Sequence, residues 1–160
     1  MFLGGVVAIA IVILLDLVVS AATYALFKSV NQRLSAIAAW VRVVYTVIFA
    51  VAATQLVNAF LLLGEPAQAL AAVEAYSAIW LTSLGLFGLH LLLIAYLVVR
   101  ADFIATVFGV LLAIAGACYI LDAINILFGL GLPVTFGNFG FVGEVVIIFW
   151  LFIKGRTLTR

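Results

Sequence analysis

Residues 27–43 read FKSVNQRLSAIAAWVRV and separate two long apolar stretches of the chain. Three of the seven basic residues, Lys28, Arg33 and Arg42, fall in this short segment. The stretches on either side each hold about the 20 apolar residues that an α-helix needs to cross a bilayer. The segment therefore predicts a basic connection between two membrane-spanning helices.

Three more stretches of this kind follow along the chain. The five predicted spans are Phe2–Phe27, Val43–Leu63, Ile79–Val99, Ile104–Phe128 and Val134–Ile153. Continuous runs of Leu, Ile and Phe exclude a β-barrel, whose strands alternate polar and apolar residues. The predicted fold class is therefore all-α, a polytopic membrane helix bundle with five transmembrane helices that form a single integral membrane domain over residues 1–160.

The composition excludes several classes of protein. Hydrophobic residues make up 69% of the chain and charged residues 8%, whereas a soluble domain is about 25% charged. This low share of charged residues excludes a water-soluble domain. The high hydrophobicity also excludes an intrinsically disordered chain, because disorder requires low hydrophobicity. With a net charge of +1 and no basic block, nucleic acid is not an expected partner. Cys118 is the single cysteine, so no internal disulfide and no CxxC metal or redox motif exists.

The basic residues predict the orientation. With five spans, all seven lie on one side: Lys28, Arg33, Arg42, Arg100, Lys154, Arg156 and Arg160. The loops on the other side carry only Glu65 and Glu74. By the positive-inside rule the basic side is cytoplasmic. We therefore expect a multipass protein of the bacterial cytoplasmic membrane with its amino terminus outside and its carboxyl terminus inside.

Two local features concern the ends of helices. Pro66 lies at an outer loop, where it suits the first turn of a helix, and residues 65–76 are expected to form a short helix on the outer surface. Asp102 is positioned to cap the start of the fourth span.

Small residues recur every four positions along the fourth span and predict a packing face. They are Ala105, Gly109, Ala113 and Ala117, with Gly116 beside them. Small side chains let neighbouring backbones approach closely, which matters where lipid supplies no hydrophobic drive for helix association. Packing within the chain and a homodimer interface both remain open.

Three ionisable residues lie deep in predicted spans. Counted at 1.5 Å per residue from the nearest basic boundary, Asp16 is about 18 Å deep, and His90 and Glu144 are each about 15 Å deep. All three are thus near the middle of a bilayer core of about 30 Å. This mid-membrane polar cluster predicts either a water-accessible pocket or proton relay, or a set of interhelical hydrogen bonds.

A second polar patch is predicted near the outer surface. It comprises Gln55 and Asn58 on the second span and Asp122 and Asn125 on the fourth. Asp122 is expected either to be a solvated residue at the rim of the bundle or to lie at the mouth of a pocket, and both interpretations remain open. One histidine and one cysteine are too few for a usual zinc site, so no metal site, no cofactor and no catalytic residue is predicted.

Three segments resemble one known family. They read ALFKSVNQRLSAIAAWVRVVYTVIFA (25–50), LHLLLIAYLVVRADFIATVFGVLLAIAGACYILDAI (89–124) and VGEVVIIFWLFIKG (142–155). The chain resembles a bacterial multipass membrane family termed domain of unknown function 4386, which implies an integral membrane protein without an assigned activity. The family pattern falls on Lys28, Asn31, Trp40, Arg42, His90, Gly109, Gly116, Tyr119, Asp122, Gly143, Glu144, Trp150, Lys154 and Gly155. Members of the family usually begin with a further apolar helix, which this chain is expected to lack.

The leading functional interpretation is a non-enzymatic membrane protein. It is either an accessory subunit or a small-solute or proton-linked carrier, and its expected partners are the lipid bilayer and a second copy or another membrane protein. The alternative is a membrane-embedded enzyme acting on a lipid or quinone, with His90 and Glu144 as acid and base.

Overall fold

The computed structural model describes residues 2–132 and 135–158, which form four α-helices and no β-strand. The helices are α1 (Phe2–Leu61), α2 (Pro66–Arg100), α3 (Thr106–Phe128) and α4 (Gly137–Leu158). The predicted all-α fold class is confirmed. Val134, the predicted start of the fifth span, lies outside the described residues.

Among the described residues, three helices are long and apolar enough to cross a membrane, namely α1, α2 and α3. They cover four of the predicted spans, because α1 contains both the first and the second. Helix α4 covers most of the fifth predicted span but is not one of the three. Length and composition therefore indicate a membrane protein, whereas five transmembrane helices are not confirmed.

Helix α1 is interrupted at Asn31. A straight helix of 60 residues would be about 90 Å long, three times the thickness of a bilayer core. The backbone of Asn31 is extended (φ −157°, ψ 102°), and its side-chain Oδ1 accepts a hydrogen bond from the backbone N–H of Leu34 at 3.0 Å. Asn31 thus caps a new helical segment and divides α1 into a first arm (residues 2–30) and a second arm (residues 32–61).

The two arms run antiparallel and pack against each other. The Ser35 hydroxyl donates to the Tyr24 carbonyl oxygen at 3.1 Å, close to the bend. Further along the arms, the Ser20 hydroxyl donates to the Ala39 carbonyl oxygen at 2.9 Å. Residue numbers thus rise in one arm as they fall in the other, which defines a helical hairpin.

Two helix ends differ from the sequence-based expectation. Helix α2 begins at Pro66, which occupies the first turn, so the expected surface helix over residues 65–76 and the third span are one continuous helix. The prediction that Asp102 caps the fourth span is wrong. Helix α3 begins after Ala105, which forms no side-chain cap, because residues 101–105 form the connection and hold Asp102 away from the first turn.

Helix α2 packs between α1 and α3, and α4 packs against α3. Two glycines meet in the contact between α2 and α3. A Cβ atom on Gly88 would lie 2.5 Å from the Gly116 carbonyl oxygen, and one on Gly116 would lie 2.6 Å from the Gly88 carbonyl oxygen. A Cβ atom on Gly109 would lie 2.9 Å from the Ala95 carbonyl oxygen. Only glycine permits these backbone approaches.

The predicted row of small residues divides between two environments. Gly109 and Gly116 are buried between α2 and α3, Ala113 is half-buried, and Ala105 and Ala117 are exposed. The reason is helical geometry. Seven residues bring a helix back to within about 20° of the same face, whereas a step of eight rotates it by about 80°. The α2–α3 contact therefore follows Gly109 and Gly116 rather than the whole four-residue row.

We predict that Gly116→Ala destabilises the fold by about 1–3 kcal/mol, because the added methyl group would overlap the Gly88 carbonyl. The matched control is Gly5→Ala, at a helical position where a Cβ atom meets nothing within 4 Å. Thermal unfolding in detergent measures both. Equal melting temperatures for the two variants would contradict the close approach.

Candidate functional site in the bundle interior

Arg42 is the centre of the buried polar residues. Its Nη2 donates to Asp16 Oδ1 in an ion pair, and its Nη1 lies 3.2 Å from His90 Nε2. Asp16 is 8% exposed and His90 is 1% exposed. One guanidinium thus connects the first arm, the second arm and α2. We call Asp16, Arg42 and His90 the charged triad.

The contacts of His90 determine which ring nitrogen carries the proton. Arginine has only donors, so His90 Nε2 must accept from Arg42. The other nitrogen, Nδ1, lies 2.9 Å from the Ala38 carbonyl oxygen and must therefore donate its proton to that oxygen. The geometry assigns His90 as a neutral imidazole protonated at Nδ1, positioned by the backbone of the second arm.

The structure brings Asp16 and His90 together, but through a residue that the sequence analysis assigned elsewhere. Arg42 was counted among the basic residues at the membrane boundary. The second arm instead starts immediately after Asn31, so Arg42 lies eleven residues, about 16 Å, along it. Arg42 thus lies between His90 and the Asp16 carboxylate, and it binds each of them through a different nitrogen of its guanidinium group. The usable signal was the mostly apolar run at residues 34–41, which allows the second span to begin before Arg42.

Aromatic rings surround the triad. The Arg42 guanidinium lies 5.2 Å from the centre of the Phe87 ring, a cation–π distance. The ring of His90 is 6.0 Å from that of Phe87, and the rings of Tyr45 and Tyr119 are 5.1 Å and 5.5 Å from it. Phe87, one helical turn before His90, therefore separates the triad from α3. None of these rings is among the predicted site residues, because aromatic residues are common throughout a membrane helix.

Glu144, on α4, is the third residue of the predicted mid-membrane polar cluster. Its side chain interacts with Tyr119 and lies within range of the charge on Arg42. Its Oε1 and the Nε of Arg42 are both buried, and within the described part of the chain neither has a hydrogen-bond partner. Glu144 is thus electrostatically coupled to the triad without being joined to it. Asp16, His90 and Glu144 are arranged around one arginine rather than in mutual contact.

The predicted outer patch divides into two separate features. Asn58 Nδ2 donates to Gln55 Oε1 at 3.2 Å, and both residues line a cavity of about 430 Å³ between the second arm and the start of α2. Asp122 is only 5% exposed. Its carboxylate accepts from the backbone N–H groups of Phe136 (2.8 Å) and Gly137 (2.7 Å) at the start of α4.

Asn125 belongs to the same connection as Asp122. Its Oδ1 accepts from the Leu132 N–H at 3.1 Å, and its Nδ2 donates to the Leu132 carbonyl oxygen at 3.3 Å. Asp122 and Asn125 therefore fix the path from α3 to α4. The sequence predicted that they share one helical face, but it did not indicate that backbone groups within residues 132–137 bind to them. Among residues 2–132 and 135–158, no group of three His, Cys, Asp or Glu is arranged to hold a metal ion.

Comparison with known proteins gives a family and a relative. The family described as domain of unknown function DUF4386 matches residues 1–155. An uncharacterized protein of Archaeoglobus fulgidus is 32% identical over 156 residues, which cover 98% of this chain and 86% of that protein. Similar proteins thus also occur outside the bacteria that the resemblance implied. No solved structure matches the chain.

We predict that Arg42→Gln and Asp16→Asn each destabilise the fold by about 3–5 kcal/mol, because each leaves its partner as an unpaired buried charge. The double variant should recover most of this loss, since it buries no charge. Arg33→Gln, at an exposed position, is the control and should have little effect. A double-mutant cycle on unfolding in detergent gives the coupling free energy between Arg42 and Asp16. Strictly additive losses of stability would contradict an ion pair between these two residues.

Proposed function

The chain belongs to the DUF4386 family, and because that family has no assigned activity, we propose a function from geometry and charge. The protein is a five-span integral membrane protein with its amino terminus outside. It acts without catalysis as an accessory subunit in the cytoplasmic membrane. The charged triad holds its spans in one arrangement.

Two features support five spans. The hairpin at Asn31 gives two arms, each about 45 Å long and so sufficient to cross the hydrocarbon core. Helix α4, with 22 residues, is also sufficient at about 33 Å. Together with α2 and α3 these make five helical segments joined by short connections, which suits successive spans of alternating direction.

Charge supports the orientation. Lys28 and Arg33 flank the bend between the arms, Arg100 ends α2, and Lys154 lies in the last part of α4. In a five-span arrangement these four residues are on one side, which is cytoplasmic by the positive-inside rule. Arg42 no longer counts toward this balance, because its charge is paired with Asp16 inside the bundle.

The main support for the accessory role is that Asp16 and His90 are buried and already bonded to other groups of the chain. His90 is 1% exposed, and both of its ring nitrogens are occupied by Arg42 and Ala38. Asp16 is engaged by Arg42 and is also buried. A carrier or an enzyme must admit water or substrate to its polar residues, whereas these residues are engaged with one another. Their arrangement suits a protein whose polar interior sets the order of its helices.

One observation favours a second candidate, a proton-linked carrier. The buried Nε of Arg42 and Oε1 of Glu144 lack hydrogen-bond partners among the described residues, and a buried polar atom without a partner is costly. Movement of Arg42 from Asp16 toward Glu144 would satisfy both atoms. Such an exchange would couple the position of Arg42 to proton uptake by Asp16 and proton release by Glu144. The enzyme on a lipid or quinone stays a prediction from the sequence.

The orientation predicts different labelling of two engineered cysteines. In a Cys118→Ala background, Gln68→Cys should react with a membrane-impermeant maleimide on intact cells. Ser29→Cys should react only after permeabilisation. Both positions are exposed, and each lies within two residues of the end of a helical segment, so access is expected to depend on the side of the membrane. Labelling of Ser29→Cys but not Gln68→Cys on intact cells would reverse the orientation.

The accessory role predicts that the triad stays dry. Thr46 is 2% exposed and lies one turn from Arg42, whose carbonyl oxygen accepts its hydroxyl proton at 2.9 Å. In permeabilised membranes Thr46→Cys, again with Cys118→Ala, should not react with a water-soluble maleimide, while Gln68→Cys reacts fully. Reaction at Thr46→Cys with an unchanged melting temperature would show water access and favour the carrier.

A further inference from the structure

Two depressions on the surface of the bundle meet at Tyr96. The first, which we call the polar cavity, has a volume of about 610 Å³ and lies at the bend of α1 and the end of α2, with Asn31, Tyr96, Arg100 and Asp102 among its lining residues. The second, which we call the apolar groove, has a volume of about 520 Å³ and runs between α2 and α3. Tyr96 lines both, so a charged compartment and an apolar one adjoin at this side chain.

We propose that the polar cavity and the apolar groove bind one phospholipid whose headgroup carries both a phosphate diester and a primary ammonium group. The headgroup occupies the cavity, and one acyl chain lies in the groove. The proposal rests on the membrane placement of α2 and α3, and it is independent of whether the protein is an accessory subunit or a carrier.

The cavity presents one cation and one anion. The Arg100 guanidinium lies 5.3 Å from the centre of the Tyr96 ring, a cation–π contact that orients it. Asp102 follows two residues later, in the connection to α3, and does not cap that helix. A guanidinium matches the oxygens of a phosphate through paired hydrogen bonds, and a carboxylate matches an ammonium group. Arg100 and Asp102 together therefore match a zwitterionic headgroup.

The groove has the shape for a hydrocarbon chain. Gly109, Ala113 and Ala117 form its floor on α3, while Leu92 and Tyr96 contribute from α2. Ala113 is half-buried and Ala117 is exposed, so these small residues leave space at the lipid-facing surface rather than filling the helix contact. From Gly109 to Ala117 the floor is about 12 Å long. The four-residue row of small side chains therefore has a second role beyond helix packing.

Asp102 decides between lipid classes. An anionic headgroup such as phosphatidylglycerol would pair with Arg100 but would also face the carboxylate. Phosphatidylcholine has a quaternary ammonium group that cannot donate a hydrogen bond to Asp102. Phosphatidylethanolamine satisfies both residues, because its ammonium group has three donors. Site chemistry therefore favours phosphatidylethanolamine over the other two.

The test is thermal unfolding of the full chain in detergent, titrated with the three lipids carrying identical acyl chains. Phosphatidylethanolamine should raise the melting temperature saturably, with a half-maximal concentration below that of the other two lipids. Arg100→Gln should weaken this binding about tenfold or more, as expected for the loss of a charge-assisted hydrogen bond. Arg100→Lys should retain part of it. Arg33→Gln, an exposed basic position outside the cavity, should bind as the wild type does.

Two further variants test the anion and the groove separately. Asp102→Asn should abolish the preference for phosphatidylethanolamine over phosphatidylglycerol. Ala113→Leu should weaken binding by obstructing the groove, whereas Ala22→Leu, an exposed position on α1, should not. Variants are compared only where their melting temperatures without lipid equal that of the wild type, and Asp102→Asn, an exposed surface substitution, provides the test if the groove variant unfolds.

Four results would overturn the proposal. The first is wild-type binding that favours phosphatidylglycerol, and the second is binding unchanged in both Arg100→Gln and Asp102→Asn. The third is an equal shift with soluble phosphoethanolamine, which would identify a free ligand rather than a lipid. The fourth is a change of oligomeric state in Ala113→Leu without a change in lipid binding, which would assign the groove to a second copy of the chain. None of these results bears on the dryness of Thr46, so the proposed function is tested independently.

Discussion

The ion pair between Arg42 and Asp16 is the interaction on which the rest of the structure depends. A guanidinium cannot lose its charge in a protein, so an arginine inside a bundle must be paired and hydrogen-bonded. Asp16 provides the charge and His90 provides an acceptor. Because these partners lie on the first arm and on α2, satisfying one side chain fixes three helical segments relative to one another. The bend at Asn31 is what allows the first arm to reach it.

The α2–α3 contact is set by a different constraint, that of backbone approach. Gly88 and Gly116 bring two carbonyl oxygens to positions where a methyl group would overlap them. This close contact holds the ring of Phe87 against that of Tyr119 on α3 and leaves the apolar groove on another face of α2. Polar pairing therefore orders the first three segments, and glycine contacts attach α3 to them. Asp122 then fixes where α4 begins.

This combination bears on function. A triad in which every member is engaged favours a fixed bundle, whereas the Oε1 of Glu144 and the Nε of Arg42 both lack hydrogen-bond partners within residues 2–132 and 135–158. The same arginine thus underlies both proposed roles, and they differ in whether it moves. A lipid bound between the bend of α1 and the end of α2 would contact the connection that positions Arg42. The proposed lipid site is therefore connected to the charged triad through the second arm, over a distance of about 16 Å.

The sequence by itself determined the membrane class and the all-α fold, because these follow from composition and run length, and its resemblance to known proteins determined the family. From the fixed rise of a helix it also predicted that Asp16, His90 and Glu144 lie at similar depth. Depth placed Asp16 and His90 at one level, and the structure brings both to one guanidinium. Only the tertiary structure decided that this guanidinium is Arg42, that Asp122 caps α4, and that Gly116 rather than Ala117 meets α2. Each of these depends on which helix neighbours which and on how it is rotated about its axis. Lipid accepts any apolar face equally, so hydropathy carries no information on that rotation, and specific contacts between chain segments must supply it.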